Sequence, residues 1–325
     1  MIEFAVQAVQ LGKRFGDTKA LDGLDLAVPR GTVFGLLGPN GAGKTTAVRI
    51  LTTLIRPDAG TATVAGHDVV REPRLVRRSI GLTGQQTAID DLLSARQNLV
   101  MFGRLFRLDR DHAMRRADEL LAVFGLSEVA GKQPKRFSGG MRRRLDLAAS
   151  MILAPQVLFL DEPTTGLDPV GRGEVWRAIR DLAARGTTVL LTTHYLDEAD
   201  KLCDQIGVID GGRNVVEDTP KGLKRRIGEE RLEIVAAEAD ELPAVAEVAA
   251  KAAGNTGPGV DAPALTVTAP VQDGVQALIE VAAELRVRGI GVADLGLRRP
   301  TLDEAFLQLT GAAPNRDKEI AEWPP

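Results

Sequence analysis

Short uninterrupted apolar runs punctuate the first two thirds of the chain. Val33-Phe34-Gly35-Leu36-Leu37 opens into glycines, and Val157 to Leu160, Thr188 to Thr192 and Ile206 to Ile209 repeat the pattern. Runs of this length bounded by turn signals predict parallel strands covered on both faces. Between them the apolar spacing changes to three and four. Ala47, Ile50, Leu51 and Leu54 fall on one helical face, as do Val175, Trp176, Ile179, Leu182 and Ala183. Strands alternating with helices imply an α/β fold with a mostly parallel sheet.

Two departures from that alternation set the expected domain plan. From about residue 90 to residue 154 the chain reads as helical and charged, with Leu120, Leu121 and Phe124 as a buried stripe, a helical subdomain inserted in a domain spanning 1–218. Beyond Asp218 the elements become short and rich in Ala and Val, and a small α+β domain is expected over 219–312. Its strands are predicted at Leu232–Val235, Leu265–Val267 and Ile290–Leu295, with a helical face of Val275, Leu278, Ile279 and Ala282 and a turn-rich break at 254–259. Thr301-Leu302-Asp303-Glu304 reads as a capping box that starts a helix with Leu302, Ala305, Phe306 and Leu309 on one face. The tail 313–325 has no periodicity and is expected to be mobile.

Composition narrows the function. A length of 325 residues with 44% hydrophobic and 26% charged residues suits two soluble globular domains. Forty-one basic against 44 acidic residues give a formal charge of −3, without the basic excess that holds a nucleic-acid backbone, so no nucleic-acid partner is expected. A lone cysteine, Cys203, cannot form an intrachain disulfide and fits a reducing compartment. No run of roughly 18 apolar residues occurs, and the N-terminus lacks a basic stretch followed by an apolar one. The expectation is a chain that neither spans a membrane nor is secreted; if it serves transport, the pore belongs to another polypeptide.

The chemistry is concentrated at a few loops. Gly38-Pro39-Asn40-Gly41-Ala42-Gly43-Lys44-Thr45, followed by Thr46, fits the P-loop between an apolar strand and an amphipathic helix. The glycines let backbone amides converge on phosphate oxygens, and the helix start adds positive potential. Lys44 then neutralises the β- and γ-phosphates of ATP, and the Thr45 hydroxyl ligates Mg²⁺. A second strand, Val157 to Leu160, ends in Asp161-Glu162. Carboxylates beside buried apolar residues need a partner, and a metal supplies one: Asp161 is the Mg²⁺ partner, and Glu162 polarises the attacking water. Ser138-Gly139-Gly140 opens a further helical run, a second anion-seeking helix start in the same chain.

Together these motifs resemble ABC transporter ATP-binding subunits, over residues 1 to about 215. The resemblance implies that Ser138, Gly139 and Gly140 are the signature loop, which caps the γ-phosphate held by the P-loop of a second copy of the chain. It implies that Phe15 stacks on adenine and that Gln85 contacts the metal and the attacking water and couples to the membrane partner. It further implies that Gly166-Leu167-Asp168 is the D-loop and that His194 touches the γ-phosphate. Met141 stands where glutamine usually ends the signature, and Gly84 where proline often precedes the Q-loop glutamine. These variants, with Met141 to Asp146 and the ending Leu302-Asp303-Glu304-Ala305-Phe306, resemble the daunorubicin/doxorubicin-resistance type of drug-export ATPase. A separate integral-membrane permease and a place on the cytoplasmic face of the membrane are what that resemblance implies; lipid, polysaccharide or lantibiotic cargo stays open, as does, more remotely, a soluble ABC-type ATPase acting on ribosomes or DNA. Arg142, Arg143 and Arg144 are read as a solvated or subunit-contact face, and His67 and His112 as surface residues.

Overall fold

The computed structural model describes residues 3–84, 87–227, 230–254, 257–298 and 300–310. The chain divides into two compact units between Pro220 and Lys221. The first opens with β1 (Phe4–Phe15) and β2 (Thr18–Pro29), followed by β3 (Val33–Leu37), α1 (Lys44–Leu51), β4 (Ala59–Val64), the two-residue β5 (His67–Asp68), α2 (Pro73–Ser79) and β6 (Ile80–Thr83). Three α-helices come next, α3 (Ala95–Leu105), α4 (Arg110–Val123) and α5 (Gly139–Ser150). The α/β alternation then resumes with β7 (Val157–Asp161), α6 (Pro169–Ala184), β8 (Thr188–Thr193), α7 (Leu196–Leu202), β9 (Gln205–Asp210) and β10 (Arg213–Asp218).

A six-stranded sheet in the order β10-β9-β3-β8-β7-β6 carries the site. All its pairings are parallel except β10 with β9. Every residue of β3, β7 and β8 is buried, which is why their apolar residues run together without alternating, apart from Asp161 and the threonines of β8. A second, antiparallel sheet, β2-β1-β4-β5, shares a hydrophobic core with it. That core joins Val6, Leu24 and Val64 to Phe34, Ile50 and Phe159, and full burial of a side chain such as Phe34 is worth about 1.5–3 kcal/mol. Helix α1 buries Ala47, Ile50 and Leu51 in it but stops there, so Leu54, expected on the same face, lies beyond the helix and is exposed. The stripe of Leu120, Leu121 and Phe124 is buried as expected.

The second unit begins within α8 (Pro220–Ile227) and continues through β11 (Arg231–Ala236), α9 (Leu242–Ala252), β12 (Gly259–Asp261), β13 (Thr266–Pro270), α10 (Gly274–Arg288), β14 (Val292–Arg298) and α11 (Leu302–Thr310). Its antiparallel sheet has the order β12-β13-β11-β14, the split βαβ arrangement. Alternate residues of β11 and β13, Leu232, Ile234, Val267 and Ala269, pack with α9 and α10 through Val245, Val248, Val281 and Leu285. On α10 the buried face is Gly274, Val281 and Leu285, whereas Val275 and Ile279 of the expected face are exposed. Thr301 and Glu304 exchange the reciprocal hydrogen bonds of a capping box at 3.2 Å, and Leu302 and Ala305 are buried. Asn255, Thr256 and the tail 313–325 lie outside the described residues.

Candidate active site

Two glycines of the loop after β3 leave no room for a side chain. Gly43, the cap of α1, has φ 107°, and a Cβ there would lie 2.5 Å from the Ala20 carbonyl oxygen. A Cβ on Gly38 would lie 2.3 Å from the Ile209 oxygen. Gly43 offers no side-chain acceptor, so the first-turn amides of α1 are left to an anion. Pro39, Asn40 and Gly41 are exposed, Ala42 is buried, and Thr45 and Thr46 are half-buried on the first turn. Lys44 is buried, and its Nζ donates to the carbonyl oxygens of Gly38 at 2.6 Å and Pro39 at 2.9 Å. Burial pushes its pKa below the ordinary lysine range, while the Glu162 and Asp161 carboxylates pull it back up.

Strands β7 and β8 run parallel, with Asp161 paired to Thr192, so their C-terminal ends deliver the acids and the histidine to one edge. The Thr192 hydroxyl donates to Asp161 Oδ1 at 2.5 Å. Thr45 Oγ1 stands 3.4 Å from both Asp161 carboxylate oxygens. Glu162 has φ 50°, a left-handed conformation strained for a side-chain-bearing residue, and its amide donates to the Thr192 carbonyl and hydroxyl oxygens, both at 3.1 Å. His194 Nδ1 lies 3.0 Å from Glu162 Oε1; a carboxylate only accepts, so Nδ1 carries the hydrogen. The Thr165 hydroxyl donates to Glu162 Oε2 at 3.3 Å. A cavity of 360 Å³ lined by Thr45, Val48, Arg49, Leu82 and Gly84 reaches Asp161.

The other expected residues fall in two groups. Ser138 caps α5, its hydroxyl oxygen accepting from the Met141 amide at 3.2 Å, and Asp168 caps α6, accepting from the Gly171 amide at 2.6 Å. The starts of these helices touch: a Cβ on Gly140 would meet Gly171 Cα at 3.0 Å, and one on Gly139 would meet Leu167 at 2.9 Å. Ser138, Gly139, Gly140 and Asp168 are thus brought together, but among the described residues no hydrogen bond joins them to Lys44 or Glu162. Phe15 is exposed at the β1–β2 hairpin, with the Lys13 ammonium 5.6 Å from its ring centre. Gln85 lies outside the described residues.

The arginine triplet corrects the solvated alternative in the expectation of a solvated or subunit-contact face. Arg142 pairs with Asp91 at 2.5 Å, Arg144 donates to the Phe124 carbonyl at 2.9 Å and pairs with Glu174 at 3.2 Å, and Arg143 is buried. Arg143, Asp146, Thr165 and Thr192 are the neighbours of the site that the sequence reading missed. Helical spacing from Gly140 through Arg143 to Leu147, all buried, carries the signal that could have placed Arg143 inside.

The ABC transporter family pattern matches residues 21–165. Over 308 residues the chain is 60% identical to the daunorubicin resistance ATP-binding protein DrrA2 of Streptomyces coeruleorubidus, covering 95% of each. The chain belongs to the daunorubicin/doxorubicin-resistance family of ABC transporter ATP-binding proteins. Within reach of that family it is 47% identical over 315 residues to the doxorubicin resistance ATP-binding protein DrrA of Mycobacterium tuberculosis (strain ATCC 25618 / H37Rv), covering 95% of this chain and 94% of that one. It is 39% identical to the Nod factor export ATP-binding protein I of Sinorhizobium fredii (strain NBRC 101917 / NGR234), over 95% of this chain and 87% of that one. Among solved structures, cbiO1 from Clostridium perfringens, part of the ABC transporter complex cbiONQ, superposes with a TM-score of 0.63 at 27% identity over 69% of this chain and 94% of that one. This ABC ATP-binding protein binds nucleotide and couples ATP hydrolysis to transport. No described helix is long and apolar enough to cross a membrane.

Proposed function

We propose that this ABC ATP-binding protein powers the export of a daunorubicin- or doxorubicin-like drug through a separate integral-membrane permease, from the cytoplasmic face of the membrane. The observation that carries the catalytic half of this reading is the contact between His194 and Glu162 at 3.0 Å, at the strand edge that also presents Asp161 beside Thr45. Glu162 accepts the proton of the attacking water, and His194 orients that carboxylate and reaches the γ-phosphate. The amides from Gly38 to Thr46 cradle the phosphates, Lys44 exchanges its carbonyl partners for phosphate oxygens, and Phe15 supports the adenine. Thr45 and Asp161 present the hard oxygens that would hold Mg²⁺ beside the phosphates; no described group of three His, Cys, Asp or Glu residues forms a fuller cage. Bound there with the help of Gln85, the ion would neutralise charge on the β- and γ-phosphates.

Ser138, Gly139, Gly140 and Asp168 complete the site of a second copy, so the working unit is a head-to-tail pair with ATP between Lys44 of one chain and Ser138 of the other. In this reading 1–218 is the nucleotide-binding domain, with its helical subdomain at about 90–154, and 219–312 is an accessory domain followed by the tail 313–325. Identity of 60% to a daunorubicin resistance protein, against 39% to a Nod factor export protein, favours drug cargo over a second reading with another exported molecule. The decisive variant is Glu162→Gln. It is expected to bind ATP as the parent does, to turn over at least ~100-fold more slowly, and to accumulate an ATP-bound dimer visible by light scattering. Hydrolysis at the parent rate would remove Glu162 from the mechanism.

A further inference from the structure

Helix α5 reaches past its own neighbours into the two loops that frame the catalytic edge. The Arg143 side chain is 7% exposed, and its guanidinium is divided among three acceptors. Nε donates to the Pro163 carbonyl at 2.8 Å, and Nη1 donates to the Gly84 carbonyl at 2.8 Å and to Asp146 Oδ2 at 3.1 Å. The other oxygen of Asp146 accepts from the Ala88 amide at 3.2 Å. One turn of α5 therefore grips Gly84 and Ala88 together with Pro163, the residue that follows Glu162.

The far side of the Glu162 loop is held as well. The Thr164 hydroxyl donates to Glu198 Oε1 at 2.8 Å, and the Trp176 indole donates to the same oxygen at 3.0 Å. Glu162 sits between these anchors in its left-handed backbone conformation, which persists only where surroundings impose it. A buried ion pair is a poor source of stability compared with hydrocarbon of the same volume, so packing alone gives no reason for Arg143 and Asp146 to be here. Geometry does give one. A planar guanidinium holds two carbonyls from different segments in a fixed relation, whereas the rotatable donors of a lysine ammonium do not fix that relation.

We propose that Arg143 is a positioning residue for hydrolysis: with Asp146 it ties the Glu162 loop to Gly84 and Ala88, and so fixes where the Glu162 carboxylate stands. The proposal rests on the reading of Glu162 as the group that activates water. The helix that carries Arg143 also begins at Ser138, so the start of α5 and the Glu162 loop share one rigid support.

The test uses the full chain with four variants. Arg143→Gln is expected to lower kcat for ATP at least tenfold while KM and nucleotide-binding stoichiometry stay within twofold. Arg143→Lys, which keeps the charge but not the rigid fork, is expected to recover part of that loss. Arg143→Gln with Asp146→Asn removes the unpaired buried carboxylate and is expected to restore the melting temperature but not kcat; it also carries the kcat measurement if Arg143→Gln alone does not fold. In a Glu162→Gln background, Arg143→Gln is expected to slow single-turnover hydrolysis by less than twofold further, because its effect runs through Glu162. Parent kcat in Arg143→Gln, joint recovery of melting temperature and kcat in the paired variant, or a full multiplicative loss in the Glu162→Gln background would each overturn the proposal. Parent activity in Glu162→Gln alone would instead overturn the reading on which it rests, and a kcat loss in Arg143→Gln would still be measured.

Discussion

The interiors of the two units differ in kind. In the first, Lys44, Arg143, Asp146, Asp161 and Glu198 are all buried, together with several threonines, whereas the buried core of the second is hydrocarbon among the described residues. Burying a charge costs free energy unless it is paired and hydrogen-bonded; Lys44 is bonded within its own loop, and the other four have partners on other segments of the chain. The contrast separates two ways of specifying a core. One unit holds positions by directional contacts around the end of β7, and the other fills space between a sheet and two helices.

That contrast can be broken at either end. The largest effect is expected from Ile234→Ala in β11, where a fully buried side chain leaves a cavity: hydrogen-exchange protection of β11 and β13 should fall by about 2–5 kcal/mol, with β7 and β8 unchanged. Equal loss in both units would mean that their cores are not separate. Thr192→Val keeps shape but deprives Asp161 of a donor and the Glu162 amide of an acceptor, and should cost about 1–3 kcal/mol in the protection of β8. No change there would show that directional contacts do not hold the edge. The smallest effect belongs to the surface. Asp109, the cap of α4, is held down to about 2 from an ordinary 3.8 by the His112 amide first and by the His112 ring second. Its folded-state pKa is depressed, so its contribution is full above pH ~4 and is lost as the pH falls from there through 2. A carboxyl resonance titrating near 4 in the folded protein would contradict this, and Asp109→Asn should keep the cap while removing that slice of pH dependence.

What could be read from the chain follows the same divide. β3, β7, β8 and β9 announce themselves because burial on both faces favours apolar residues along their middles. The strands β1 and β2 alternate irregularly, with register shifts in their pairing, and gave no comparable signal. On α10, Val275 and Ile279 have the spacing of a buried face, yet the helix packs on Gly274, Val281 and Leu285; apolar spacing alone does not choose between two adjacent faces. The P-loop and the acids at the end of β7 were legible because their chemistry is local. The distant partners of Arg143 were not, since they are backbone carbonyls 20 and 59 positions away and leave no trace in residue type.

The split βαβ arrangement of the second unit places its first strand beside its last. Arg231, which opens β11, is the register partner of Arg298, which closes β14. Neighbouring strands lie about 5 Å apart, so everything from 231 to 298 leaves and re-enters the chain at nearly one point. Such a segment is a natural graft: it could be cut out and bridged by a short turn, or exchanged for another module of the same plan, with the joined ends already in place.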